Sequence, residues 1–367
     1  MTRPVPGKGR KPFVAVVYNE PTVMTKEGRK YISEMGFIQE GESLSSVKGD
    51  VVIDTSEVGV LEEREDVARA LAALGYKTKC FNVDSDVKRL VQFLQDEQPD
   101  LIFNLCESFG SDSDHEMHIA GIFELLEIPY TGAPALTLGT ALDKVRTKEI
   151  LSYYGLPTPR FQLCKTPTRI ALEDYLDFPL IVKPSREDAS VGVETASVVT
   201  SLSELRRRVR HVIEQFDQPA LVEEYIDGRE INVAIIGNQK PVVLPISEID
   251  MSSLPKEYHR IISYNAKWMR GTEEYRHTKG VCPASLPSAL ENRFKDMALT
   301  AYAVTGCRDY ARIDFRLNKE NKPYVLEVNP NPDICDDAGF ARSAKAYGLT
   351  FEDTVGKIVE FALERSP

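Results

Sequence analysis

The chain has 367 residues, enough for two or three domains and for a core that needs no covalent staples. Hydrophobic residues make up 42% and charged residues 28%, which excludes disorder, collagen and coiled coil as the dominant state. Acidic residues number 56 against 45 basic ones, a net charge of −11. That is the wrong sign for a protein that grips nucleic-acid phosphates, so no nucleic-acid partner is expected.

Residues 1–11 carry four basic residues and two prolines with no apolar segment behind them, so no signal peptide is expected. The run Phe13-Val14-Ala15-Val16-Val17 predicts a first buried strand. Residues 18–56 are rich in Gly, Ser, Glu and Lys and lack periodicity; a stretch that long is commonly functional or mobile. A helix is expected over 57–74, with Val67, Ala70, Leu71 and Leu74 on one face and Gly75 as its stop. A strand over 77–81, a helix over 87–94 and a strand over 101–105 follow, an alternation that implies parallel pairing. The loop 106–115 opens a helix that ends at Ile128-Pro129, and another helix is expected over 143–154. Beyond Phe178 the pattern changes to strands at 179–183, 220–225, 231–236 and 241–246, with one helix at 203–215. A loop over 248–282 precedes a helix at 287–304, strands at 310–317 and 323–328, and a helix at 352–364. Six scattered cysteines, the closest pair 25 residues apart (Cys282 and Cys307), form no metal knuckle or redox pair and fit a reducing compartment. No apolar run approaches the ~18 residues of a membrane span, so the chain reads as cytoplasmic with no membrane partner.

Three clusters carry chemistry. In Arg312-Ile313-Asp314 and Glu327-Val328-Asn329 the polar residues recur with period two, so each pair shares one face of its strand. A turn centred on Glu320-Asn321 sets Asp314 opposite Glu327 and Arg312 opposite Asn329, with cross-strand neighbours ~4.5–5.5 Å apart. Two carboxylates and an amide oxygen that close suit Mg²⁺. A solvated hairpin face is the plainer alternative, but the apolar flanks Ala311, Ile313, Phe315, Val325, Leu326 and Val328 imply burial. The second cluster, 178–193, sets Lys183 at the end of an apolar strand before a small-residue loop, an arrangement that could hold phosphate or be an ordinary hairpin. The third, 221–230, ends an apolar strand in acids, turns at Gly228 and resumes at Glu230. His115 and His118 lie three apart without a third ligand at fixed spacing, which favours a capped helix start over zinc.

These clusters, in this order, resemble the ATP-grasp superfamily and within it the D-alanine–D-alanine ligase branch. The resemblance runs from about residue 99 and includes 128–132, 142–148, 155–159 and Asn265-Ala266-Lys267-Trp268. It implies an α/β ATP-grasp fold of three α/β domains, 1–136, 137–226 and 227–367, with ATP between the central and C-terminal ones. It implies that Lys144 and Lys183 hold ATP phosphates, that Glu223 faces the adenine amino group with Tyr225 and Ile226 beside it, and that Glu230 accepts from the ribose. Lys267 would close over the γ-phosphate. Asp314, Glu327 and Asn329 would bind two Mg²⁺ ions, with Mn²⁺ a substitute, and Arg312 would steady the acyl phosphate. The implied reaction is ADP-forming ligation of a small-molecule carboxylate to an amine, and a homodimer would fit the family.

The departures bear on substrate. Where the branch has a serine and a tyrosine joined to an N-terminal glutamate, this chain has Ala189 and Trp268, and neither side chain accepts a hydrogen bond. Glu63 either stands for that glutamate or is a first-turn acid on an exposed helix. Asn331 and Asp333 occupy substrate positions where smaller residues are usual, and Ala338 lacks a hydroxyl expected near the second carboxylate. A ligase of amino acids or small peptides is expected, with a larger or apolar acyl donor than D-alanine. The rivals are a true D-alanine–D-alanine ligase of peptidoglycan synthesis, a non-catalytic ATP-binding relative, and a kinase or carboxylase on the same fold.

Overall fold

The computed structural model describes residues 11–20, 22–25, 28–31, 59–84, 86–110, 112–269, 271–335 and 338–365. The N-terminal part begins with β1 (Phe13–Tyr18), buried along its whole length. A small antiparallel hairpin, β2 (Thr22–Thr25) and β3 (Gly28–Tyr31), is what the described residues contain of the 18–56 stretch beyond β1 and its exit. α1 (Gly59–Ala73) precedes β4 (Lys77–Asn82), and α2 (Val87–Glu97) precedes β5 (Leu101–Leu105). Asp86 caps α2 by accepting from the amides of Lys88 and Arg89. β1 pairs in parallel with β4 on one side and β5 on the other, as the alternation of strand and helix requires. α3 (Glu116–Leu125) and α4 (Ala135–Leu142) complete this part. α4 was not expected: its sequence, ALTLGTAL, is apolar nearly all round and shows no stripe.

α5 (Lys144–Tyr153) starts at Asp143, whose side chain accepts from the amides of Val145 and Arg146. A four-stranded sheet follows, built of β6 (Phe161–Cys164), β7 (Leu180–Pro184), β8 (Val198–Val199) and β9 (Ala220–Glu224) in the order β6-β9-β7-β8. α6 (Leu202–Phe216) packs Leu205, Val209 and Val212 against it.

The third sheet contains β10 (Gly228–Ile236), β11 (Val242–Val243), β12 (Ser247–Asp250), β13 (Lys279–Val281), β14 (Tyr310–Asn318) and β15 (Pro323–Asn329). Its order is β13-β12-β10-β14-β15, with β11 also on β10. The strand expected at 241–246 is only Val242–Val243, because Pro241 and Pro245 flank it and donate nothing to a ladder. The expected loop at 248–282 instead holds the end of β12, two short helices, α7 (Tyr264–Trp268) and α8 (Glu273–Arg276), and β13. α9 (Ser288–Thr305) ends at Gly306 in the left-handed conformation, φ +79°. α10 (Gly339–Tyr347), also unexpected, and α11 (Phe351–Glu364) close the chain's described part.

One core joins the two ends. Val14, Val16 and Phe103 of the first sheet and Val67 and Leu71 of α1 pack in the same cluster as Ala234, Ile236, Tyr310, Phe340, Val355 and Ile358. Polar stitches reinforce it. Asp309, fully buried, accepts from Arg365 Nε (3.0 Å) and Nη2 (2.6 Å) and from the Gly132 amide (2.9 Å). Arg308 Nε donates to the Gly132 carbonyl at 2.7 Å, and Asn331 Oδ1 accepts from the Ala133 amide at 2.9 Å.

Candidate active site

The β14–β15 hairpin has the register its spacing predicts: Arg312 faces Asn329 and Asp314 faces Glu327. A bulge follows, since Phe315 pairs with Val325 and leaves Leu326 as the extra residue. Asp314 is buried and saturated with donors. Arg312 reaches Oδ1 and Oδ2 at 2.8 Å each, Asn232 Nδ2 reaches Oδ1 at 2.7 Å and Asn329 Nδ2 reaches Oδ2 at 2.9 Å. Glu327 is partly open. Burial alone would raise its carboxyl, but Lys144, Lys183, Arg312 and Lys267 together hold it below the usual carboxylate range.

Those four cations come from four elements. Lys144 opens α5 and its Nζ lies 3.0 Å from Asp188 Oδ1, 2.6 Å from the Glu187 carbonyl and 3.6 Å from Glu327 Oε2. Burial opposes its charge, but Asp188 and Glu327 outweigh it and raise the pKa. Lys183, on β7, lies 2.7 Å from Glu223 Oε1. Arg312 has its pKa raised despite burial because of Asp314. Lys267, on α7, sets its Nζ 4.9 Å from the centre of the Trp268 ring, and burial of the charge first and then Arg312 push its pKa down.

Glu223 on β9 is held more tightly than an adenine-facing acid needs to be. It is 1% exposed and sits between Lys183 and Lys148, whose Nζ is 2.8 Å from Oε2. Burial would raise its pKa, yet the two lysines bring it down to about 2. Lys148 is fully buried, donates to Thr158 Oγ1 at 2.8 Å and has its own pKa lowered by burial. Sequence alone does not single out Lys148 as a site residue, although the four-residue step from Lys144 sets both on one face of α5. Arg316 was missed too. It faces Glu230 across β10 and β14, with Nη1 3.2 Å from Oε2. Glu230 is raised to about 7, by burial first and then by Asp314 and Glu327, against the pull of Arg316.

Two adjoining cavities open here. One, a cleft of about 740 Å³ counting the open solvent at its mouth, is lined by Lys144, Lys183, Glu223, Tyr225, Ile226, Glu230, Arg316 and Glu327. The other, of about 1080 Å³ on the same count, meets it at Glu187, Asp188 and Val191 and reaches Lys267, Trp268, Arg312 and Asn329. Glu63, Ala189, Asn331 and Asp333 line the second cavity as well. Glu63 is therefore not an exposed first-turn acid: it is 5% exposed and accepts from the Ile334 amide at 3.0 Å. The lost serine and tyrosine leave a different bond in their place. The Trp268 indole donates to the Ala189 carbonyl at 2.9 Å, and Ala189 adopts φ +53° to present it. Asp333 accepts from the Cys335 amide at 2.8 Å.

Among the described residues, no three His, Cys, Asp or Glu side chains converge to cage a metal ion. Glu327, partly open, with Asp314 and Asn329 beside it, offers the one or two carboxylates that Mg²⁺ takes from a protein before completing its sphere with water and phosphate, and Asp314 would exchange one of its four donors for the ion.

A family model described as "D-ala D-ala ligase C-terminus" matches residues 149–360. A D-alanine--D-alanine ligase of Carboxydothermus hydrogenoformans is 34% identical over 313 residues, covering 83% of this chain and 93% of the relative. An uncharacterized protein of Sinorhizobium fredii is 31% identical over 307 residues, covering 82% and 87% respectively. The crystal structure of D-alanine--D-alanine ligase from Bacillus anthracis complexed with ATP is similar in fold, with a TM-score of 0.70 at 22% identity over 96% of this chain and 98% of that one.

Proposed function

Because this chain belongs to the D-alanine–D-alanine ligase family of the ATP-grasp superfamily, we propose that it is an ATP-dependent, ADP-forming ligase that joins a carboxylate to an amine through an acyl phosphate. The observation that carries the reading is the placement of Lys144 and Lys183 with Glu327 on one cavity and of Lys267, Arg312 and Asn329 on the cavity that adjoins it, with Asp314 opposite Glu327. Binding a nucleotide alone would not require Arg312 in that set.

ATP occupies the first cavity. Lys144 and Lys183 neutralise its phosphates, Tyr225 and Ile226 flank the base, and Glu230 meets the ribose. Glu223 fixes Lys183 and Lys148 at the base end. Asp314, Glu327 and Asn329 would hold magnesium, which would supply further neutralisation of phosphate charge. The donor carboxylate and the amine meet in the second cavity, where Lys267 and Arg312 reach the transferred phosphoryl group. Arg312 is oriented by two bonds to Asp314, so its planar fork is already aimed when charge develops. Trp268, tied to Ala189, roofs this cavity and excludes water, which would otherwise hydrolyse the acyl phosphate. The division at 136/137 and 226/227 is supported by the three main sheets, each of which falls within one segment.

The names of the relatives favour a second reading, D-alanine in both positions for cell-wall synthesis. The Trp268–Ala189 bond stands against it, because it replaces side-chain acceptors near the first substrate. ADP release over a panel of acids and amines tests both, with the product identified by mass. Asp314→Asn and Glu327→Gln should each lose at least ~100-fold in turnover, since each removes charge from the phosphate clamp. Near-normal rates in both variants at low magnesium would overturn the assignment.

A further inference from the structure

Two arginine–acid pairs of the third sheet close completely. Arg229 sets Nε and Nη2 on the two oxygens of Glu248, and Arg312 sets the same two nitrogens on those of Asp314. Such a fork engages both carboxylate oxygens at once. Arg316 and Glu230 face each other across β14 and β10, yet their pair stays open. Only Nη1 meets the carboxylate, 3.2 Å from Oε2, and Oε1 accepts no hydrogen bond among the described residues.

The reason lies in the other two nitrogens of Arg316. Nε donates to the Ile226 carbonyl at 3.0 Å and Nη2 to the Gly228 carbonyl at 3.0 Å. A guanidinium is planar and rigid, so with two nitrogens fixed it cannot turn a second one onto Glu230. Ile226 and Gly228 belong to the segment that leads from β9 of the middle sheet into β10 of the third. Arg316, 4% exposed, thus ties the turn between these sheets to the acid two residues beyond it. Both Arg316 and Glu230 line the first cavity, as do Tyr225 and Ile226. A carboxylate has room for about four hydrogen bonds. Glu230 gives one oxygen to Arg316 and has the other left for a ligand in that cavity. Burial raises the Glu230 pKa and the Arg316 charge opposes the rise, so the arginine also helps to keep the acid an acceptor.

Resting on the reading of Glu230 as the residue that meets the ribose, we propose that Arg316 makes this nucleotide site select ribose over deoxyribose. It is a positioning residue: it holds Glu230 by one oxygen and keeps the other open to a sugar hydroxyl. A site built to bond a hydroxyl rejects the analogue that lacks it, because a desolvated polar group is then left without its partner.

The test is binding of ADP, 2′-deoxy-ADP and 3′-deoxy-ADP to the full chain with Mg²⁺, followed by isothermal titration calorimetry, a measurement independent of which acid and amine are joined. Wild type should bind at least one of the deoxy nucleotides about tenfold or more weakly than ADP. Arg316→Gln should bring that ratio below about threefold. Arg316→Lys keeps the charge but not the planar fork, and should do the same; it carries the test alone should Arg316→Gln fail to fold, which circular dichroism checks. A purely structural loss would weaken all three nucleotides in proportion. The wild-type ratio kept in either folded variant would overturn the inference and leave Glu230 at the ribose. Equal binding of all three nucleotides by the wild type would overturn the placement of Glu230 at the ribose and the inference with it. Absence of ADP binding by the wild type would overturn the nucleotide site itself.

Discussion

Glu223 shows how much one buried side chain can be asked to hold. With Lys148 on one oxygen and Lys183 on the other, it keeps a charge in a place where charge is costly. Replacing it by glutamine leaves Lys148 as a buried cation without a counter-charge, so Glu223→Gln should lower the free energy of unfolding by about 3–5 kcal/mol at neutral pH. The pH dependence follows from the direction of the shift. The folded pKa of about 2 lies below the ordinary 4.5, so the stabilisation is complete above about 4.5 and is lost as pH falls towards 2. Urea unfolding at pH 7 and pH 3 should show the gap between wild type and variant narrowing at the lower pH; a constant gap would show that the charge is not its source. A second prediction concerns Lys144 and Lys183. Changing either to methionine should raise the apparent KM for ATP about tenfold or more, because a phosphate loses a charge-assisted contact. Unchanged ATP affinity in both variants would move the nucleotide elsewhere.

At the level of elements, the β14–β15 hairpin was legible because its information is local. Period two sets the faces, and the turn sets the register that pairs Asp314 with Glu327. The bulge at Leu326 was not legible, since Tyr324, Val325 and Leu326 are all apolar and nothing in their types marks which is the extra residue. α4 and α10 escaped for related reasons: one is apolar nearly all round, the other short and rich in alanine. The site was harder to read wherever it depends on residues distant in sequence. Glu63 could not be told from a surface acid until the Ile334 amide was seen to reach it, and Lys148 looked like one more helix lysine until Glu223 met it. The same holds for the bond from Trp268 on α7 to Ala189 beyond β7, which joins two elements through a backbone carbonyl. Trp268→Phe keeps the ring and removes the donor. It should raise the donor substrate's KM about fivefold, the loss of one ordinary hydrogen bond, with KM for ATP little changed. Steady-state kinetics varying each substrate in turn separates the two; an equal rise in both would place the bond's effect on the nucleotide side.

On the scale of the whole molecule, the turn at 130–133 is where the first and third sheets are fastened. Asp309 is the fastening point, buried and dependent on Arg365 for its counter-charge. Arg365→Met should cost about 3 kcal/mol or more, because it strands a buried carboxylate, and urea unfolding followed by circular dichroism measures it. A loss below 1 kcal/mol would mean that the Gly132 amide alone satisfies Asp309.

The shared core has a temporal side. When β1, β4 and β5 have left the ribosome, α1 has strands to lie against but lacks Tyr310, Phe340, Val355 and Ile358, which complete its apolar surroundings. Residues 106 to 338 must be made before α10 and α11 arrive. The first sheet therefore waits, half-covered, while the middle sheet, with α6 packed on it and its own separate core, has all it needs to fold as soon as it emerges. Synthesis order and folding order diverge in this chain: its earliest strands are among the last to be sealed.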